Sequence, residues 1–179
     1  MKNMNIDTYT QHIDQMARAM DGSTVLNGSA EHAAVINERM FTHATRDVRI
    51  LTRNLDPRVY GTSDLVESAE LFLGMPDRKL MIAVENAPAF AKSGHPLVTA
   101  LGDFENFEIR EIPKSHHVLV DVNFTVVDGV SYRFERDKSQ AVAVACFGDK
   151  TDFTTKLTEF FRRIWEISDP LNSPPSVTA

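Results

Sequence analysis

Apolar residues recur every three or four positions at the start of the chain: Ile6, Tyr9, Ile13, Met16 and Met20. That period predicts a short amphipathic helix over 6–20. Turn formers in DGSTVLNGS then interrupt it. A second helix is predicted from about Ser29 to Ala44, with Ser29 as N-cap, Glu31 in the first turn, and Ala33, Ile36, Met40 and Phe41 as the buried stripe. Over 47–55 the period changes to two. Val48 and Ile50 alternate with Arg49, Leu51 and Arg53, which predicts a strand.

DPRVYGTSD reads as a loop, SDLVESAELFLG as a helix capped by Ser63 and stopped at Gly74, and RKLMIAVE as a strand buried on both faces. NAPAFAKSG is a further loop, and HPLVTALGDF a short helix with Pro96 in its first turn. FEIREIP alternates as a strand ending at Pro113. The next strand is predicted from Val118 to Val122, headed by His116 and His117, with a bend near Asn123. FTVVDGVSYRFER is a hairpin around Asp128–Gly129. AVAVACFGD is an apolar strand, and 151–168 a closing helix with a broad apolar face.

This order predicts an α/β fold: a mixed β-sheet covered by helices on both faces, with N-terminal helices and a C-terminal closing helix. The expected organisation is an N-terminal helix and linker over 1–27, one α/β domain over 28–168, and a flexible tail over 169–179.

Composition narrows the function. The 179 residues carry a net charge of −6, which argues against a general nucleic-acid binder. The single cysteine, Cys146, lies in an apolar run and reads as a core thiol. The other histidines, His12, His32, His43 and His95, pair with nothing at a metal-ligand spacing, so neither metal nor cofactor is expected. No apolar leader or membrane-length run occurs, and the expected location is cytoplasmic.

Candidate chemistry gathers around the hairpin. On the predicted strand His116 shares parity with Val118, Val120 and Val122, the better interior face. It is either a site residue or a half-buried strand-end histidine. Ser131, Arg133, Glu135 and Asp137 share one side of the next strand. They form either a solvated charged face or a polar network beside His116, with Arg133 able to match phosphate oxygens. Asp149 is either an N-cap region residue or part of a site at a strand end.

RDVRILTRNLDP, KLMIAVE, HPLVTALGDF and FEIREIP, followed by a His-headed strand, resemble one half of a phospholipase D-like enzyme over roughly 30–168. The family signature is H-x-K-x4-D followed by Gly-Ser and Asn. The resemblance implies phosphodiester chemistry by paired half-sites. One histidine attacks phosphorus, another protonates the leaving oxygen, and lysines grip the remaining oxygens. Laid on this pattern with His116 as the histidine, Val118 replaces the lysine and Asn123 the aspartate, while Val130, Ser131 and Arg133 fall on the Gly, Ser and Asn. Valine cannot stabilise the charge of a transferring phosphoryl group.

The resemblance therefore implies a catalytically degenerate domain that acts as a binding or regulatory module in a homodimer. His116 is the candidate catalytic residue, and Asn123, Ser131, Arg133 and Glu135 are the candidate ligand-binding residues. The alternatives are an assembly protein docking a partner through residues 6–20, and a residual phosphodiesterase or nuclease using His116.

Overall fold

The computed structural model describes residues 5–87, 94–137 and 142–171. The chain runs α1 (Ile6–Ala19), β1 (Thr24–Asn27), α2 (Ala30–His43), β2 (Asp47–Thr52), α3 (Pro57–Tyr60), α4 (Ser63–Leu73) and β3 (Lys79–Val84). It continues with α5 (Pro96–Leu101), β4 (Phe107–Glu111), a 3-10 helix (Lys114–Leu119), β5 (Asn123–Val127), β6 (Ser131–Glu135), β7 (Ala143–Phe147), α6 (Phe153–Glu166) and β8 (Asp169–Pro170). The strands form one open eight-stranded sheet in the order β1-β7-β6-β5-β2-β3-β4-β8. β2, β3 and β4 run parallel to one another, and the remaining pairings are antiparallel. The predicted mixed sheet with helices on both faces is what forms.

Alternation divides the core in two. Val48, Ile50, Leu80, Ile82, Val84 and Phe147 point to the face packed by α1 to α5. Leu51, Ala83, Phe124, Val126 and Tyr132 point to the other, where α6 lays down Leu157, Phe161 and Ile164. α1 directs Tyr9, Ile13, Met16 and Ala17 into the first core. Its apolar face is therefore consumed within the chain, which removes the motive for docking a partner through residues 6–20. The face of α6 is consumed likewise, with Phe153, Phe160 and Trp165 half-buried against the second core.

Three segments depart from the sequence-based expectation. Residues 21–28, expected as a connection, contain β1, which completes one edge of the sheet against β7. The loop expected at DPRVYGTSD, residues 56–64, holds the single turn of α3, capped by the Asp56 side chain on the Arg58 amide. The strand expected at Val118–Val122 does not form. Pro113 opens a 3-10 helix instead, closed by bonds from the His116 amide to the Pro113 carbonyl (2.8 Å) and from the Val120 amide to that of His117 (3.2 Å).

Register explains the last difference. The Asp128–Gly129 turn fixes the β5–β6 hairpin, with Val127 opposite Ser131. β5 then pairs with β2 from Val127–Val48 to Phe124–Leu51, close to the end of β2 at Thr52. Among the described residues, no strand runs alongside the stretch just before Asn123, whatever its alternation. The predicted flexible tail begins with β8, which pairs with β4, and the Leu171 amide bonds the Ile109 carbonyl. Residues 172–179 lie outside the described residues.

Candidate functional site

Asn123 and Thr125 on β5 stand opposite Glu135 and Arg133 on β6. The Thr125 and Arg133 side chains point to the face covered by α2 and α3. There the Thr125 hydroxyl donates to Asn37 Oδ1 of α2 (2.8 Å), and the Tyr60 hydroxyl of α3 lies 3.3 Å from the Thr125 hydroxyl. Arg133 is 2% exposed. Its Nε and Nη2 donate to Asn27 Oδ1 at 3.2 and 3.0 Å, and its Nη1 pairs with Glu135 Oε1 at 2.7 Å. The second Glu135 oxygen accepts from Asn123 Nδ2 at 2.7 Å, and Asn123 Oδ1 accepts from the Arg53 amide at 2.9 Å. Asn27 in turn donates to the Ala143 carbonyl.

The physics of this network is that of a buried cation held by its own anion. A guanidinium stays charged at any physiological pH, so its burial requires a partner. Glu135 supplies that partner, and the two asparagines orient both members. Burial pushes the Tyr9 hydroxyl up to about 12, with the Arg133 charge opposing the shift. Burial likewise raises Tyr60, again against the pull of Arg133. Arg133, Glu135 and Asn123 therefore belong to a network, not to a solvated charged row. The guanidinium, expected to be able to match phosphate oxygens, is instead bonded to Glu135 and Asn27.

His116 and Ser131 lie apart from it. His116 sits half-buried on the 3-10 helix, its Nδ1 3.1 Å from the Ser115 hydroxyl. It does not head an inward-facing strand, and Val118 beside it is 79% exposed. His117 donates from Nε2 to the Ile112 carbonyl at 2.8 Å. Ser131 is buried, but its hydroxyl accepts from the Gly148 amide (3.3 Å) and donates toward the Met20 sulfur (3.8 Å). Neither joins His116 to the guanidinium.

Sequence reasoning also passed over two polar partners. Asn27 was hidden in a run read as a connection, and Asn37 inside an apolar helix stripe. The signal for Asn37 is its place on the buried side of α2, beside Ile36 and Met40. Asp128 was read only as a turn residue. Its carboxylate accepts from the amides of Thr45 (2.7 Å), Arg46 (2.8 Å) and Asp47 (2.9 Å), and so ties the hairpin to the start of β2.

A family model described as a domain of unknown function, DUF7931, matches residues 29–173. The chain belongs to the DUF7931 family. No curated protein matches it. Solved structures resemble this DUF7931 chain at low identity. TrmBL2, an archaeal chromatin protein described with a novel mode of DNA binding, aligns at a TM-score of 0.61 and 12% identity over 92% of this chain. This chain spans 62% of the length of TrmBL2. Nuc, a phospholipase D family member from Salmonella typhimurium, aligns at 0.60 and 14% identity, covering 86% of this chain and all of its own (100%). NucT from Helicobacter pylori aligns at 0.60 and 10% identity over 84% of this chain and 100% of its own. The α/β fold is thus phospholipase D-like.

Asp149, the remaining strand-end candidate in this DUF7931 chain, is occupied with the start of α6. One carboxylate oxygen accepts from the Thr151 amide (2.9 Å) and hydroxyl (2.6 Å), the other from the Thr154 amide (2.8 Å) and hydroxyl (3.2 Å). Burial pushes its pKa up, but these hydrogen bonds outweigh it and hold the group at about 2. A depressed folded-state pKa adds stability that is complete above the unfolded value and disappears as pH falls through the folded one. The stability difference between wild type and Asp149→Asn is therefore expected to be constant near neutrality and to shrink from about pH 4 downward. Urea unfolding at a series of pH values reads this, and a difference unchanged down to pH ~2 contradicts it.

Proposed function

We propose that this chain is a catalytically degenerate phospholipase D-like domain that serves as a binding or regulatory module, in a homodimer. The observation that carries the reading is the Arg133–Glu135 pair, a guanidinium neutralised from within the chain. A site built to grip a phosphodiester needs uncompensated cations facing the ligand.

The register of β5 supports the same reading. With the Asp-Gly turn as anchor, the spacing of H-x-K-x4-D falls on Asp121, Asn123 and Asp128. The nucleophile position is then an exposed aspartate, and the lysine position is an asparagine bonded to Glu135. Only the aspartate is kept, where it holds backbone amides. This alignment leaves His116 outside the motif. His116 remains the histidine to test for any residual diesterase or nuclease activity, because it is half-buried on the 3-10 helix that precedes β5.

The expected result is no hydrolysis of a chromogenic phosphodiester or of DNA above the buffer rate, with wild type and His116→Ala indistinguishable. Turnover that vanishes in His116→Ala would reverse the reading. With a net charge of −6, duplex DNA is expected not to be retained at moderate salt. Among the described residues, no helix is long and apolar enough to cross a membrane.

A further inference from the structure

The two edges of the sheet are finished differently. β8 is two residues, Asp169 and Pro170, and a charge beside a residue without an N–H blocks the addition of another strand. Among the described residues, β1 is the opposite edge. Its four residues, Thr24–Asn27, contain neither charge nor proline, and the uncharged run extends over 22–30. Charge and proline are two of the devices by which native edge strands are protected.

The side chains add to this. One row of the register crosses β1, β7, β6, β5 and β2 as Leu26, Val144, Phe134, Phe124 and Leu51. Residues in one such row share a face of the sheet. α6 covers the row at Phe124 and Leu51, both 0% exposed. Toward the edge the cover runs out. Phe134 and Val144 are half-buried, and Leu26 is 66% exposed. Val142, just before β7, is 57% exposed.

We propose that this edge joins two copies of the chain, with β1 pairing antiparallel to β1 of a second copy about a two-fold axis normal to the sheet at Leu26. Such an axis sets residues equally spaced before and after Leu26 opposite one another, so faces match: Val25 meets Asn27, and Thr24 meets Gly28. Leu26 meets its own copy, and the row reads Phe134, Val144, Leu26, Leu26, Val144, Phe134 without a break. The strip selects a second copy because an isologous contact must be self-complementary, as a row centred on one leucine is. The charge agrees: two chains of net charge −6 approach with least repulsion along their uncharged run. The inference rests on the homodimer reading above and names its interface.

Cysteine placement tests it. Residues directly opposite in an antiparallel pair hold their Cβ atoms about 4.5–5.5 Å apart, close enough for a disulfide after small adjustment. The native Cys146 is buried and does not compete. Leu26→Cys is expected to convert to covalent dimer under a glutathione redox buffer far faster than Leu71→Cys, a control that is equally exposed (69%) on α4. Leu26→Lys is expected to halve the mass measured for wild type by light scattering, to 20.1 kDa, with an unchanged circular dichroism spectrum. A wild type that is itself 20.1 kDa at all micromolar concentrations overturns both the homodimer and this interface. A wild-type dimer that survives Leu26→Lys, and that cross-links no faster through residue 26 than through residue 71, overturns the interface alone.

Discussion

Replacing Arg133 with methionine is expected to destabilise the protein by about 3–5 kcal/mol, the cost of removing one member of a buried ion pair. The pair is buried enough to warrant that range, since the Arg133 and Glu135 side chains are 2% and 14% exposed. Methionine keeps much of the length of the side chain, so packing loss is small. The loss comes from leaving Glu135 Oε1 and Asn27 Oδ1 without their Arg133 donors, with only Asn123 still bonded to the carboxylate, in a place water reaches poorly. A solvated pair would be worth only about 0–1 kcal/mol. The double variant Arg133→Met/Glu135→Leu removes the orphaned charge and is expected to recover a large part of the loss, because well-packed apolar residues often replace a buried pair at little cost. Urea midpoints with an unchanged slope measure both. A single-variant loss below 1 kcal/mol would return Arg133 to the solvated-face reading.

The elements legible in the sequence were those whose pattern is local and long. Val48 and Ile50 against Arg49 announced β2, and the Asp128–Gly129 pair announced the hairpin, because period and turn chemistry act within a few residues. β1 was illegible for the opposite reason. The five residues between Gly22 and Gly28 have no period of their own, and Thr24–Asn27 is a strand only because β7 offers an edge. The 118–122 stretch shows the converse error. Its alternation is as good as that of β5, yet β2 ends before it can be paired, and Pro113 and the residues after it tighten into a 3-10 helix. The same slip moved the candidate site. His116 gained its inward place only from a strand that does not form. Arg133, Glu135 and Asn123 lie on the paired part of the hairpin and do come together. Asn27, which completes their network from 106 residues away, could not be found by spacing.

The turn that sets this register carries the second large effect. Asp128 sits at φ 54°, in the left-handed region. Aspartate tolerates that conformation, whereas alanine pays about 1–2 kcal/mol for it. Its carboxylate also accepts three backbone amides at the start of β2, and the Arg46 guanidinium reaches back to the Asp128 carbonyl at 2.7 Å. Charge-assisted bonds of this kind contribute about 1.5–3 kcal/mol each when buried, and less here because the amides of Thr45 and Arg46 are open to water once freed. Asp128→Ala is therefore expected to cost about 3–4 kcal/mol in all, from strain and lost acceptors together. Three substitutions separate the two causes. Asp128→Gly loses the acceptors but not the backbone conformation, so it should be less damaging than alanine by about the strain term, 1–2 kcal/mol. Asp128→Asn keeps the conformation and one acceptor oxygen, and should be the mildest of the three. Chemical denaturation ranks them. If glycine proves no better than alanine, the left-handed backbone contributes nothing, and if asparagine matches alanine, the carboxylate is the whole effect.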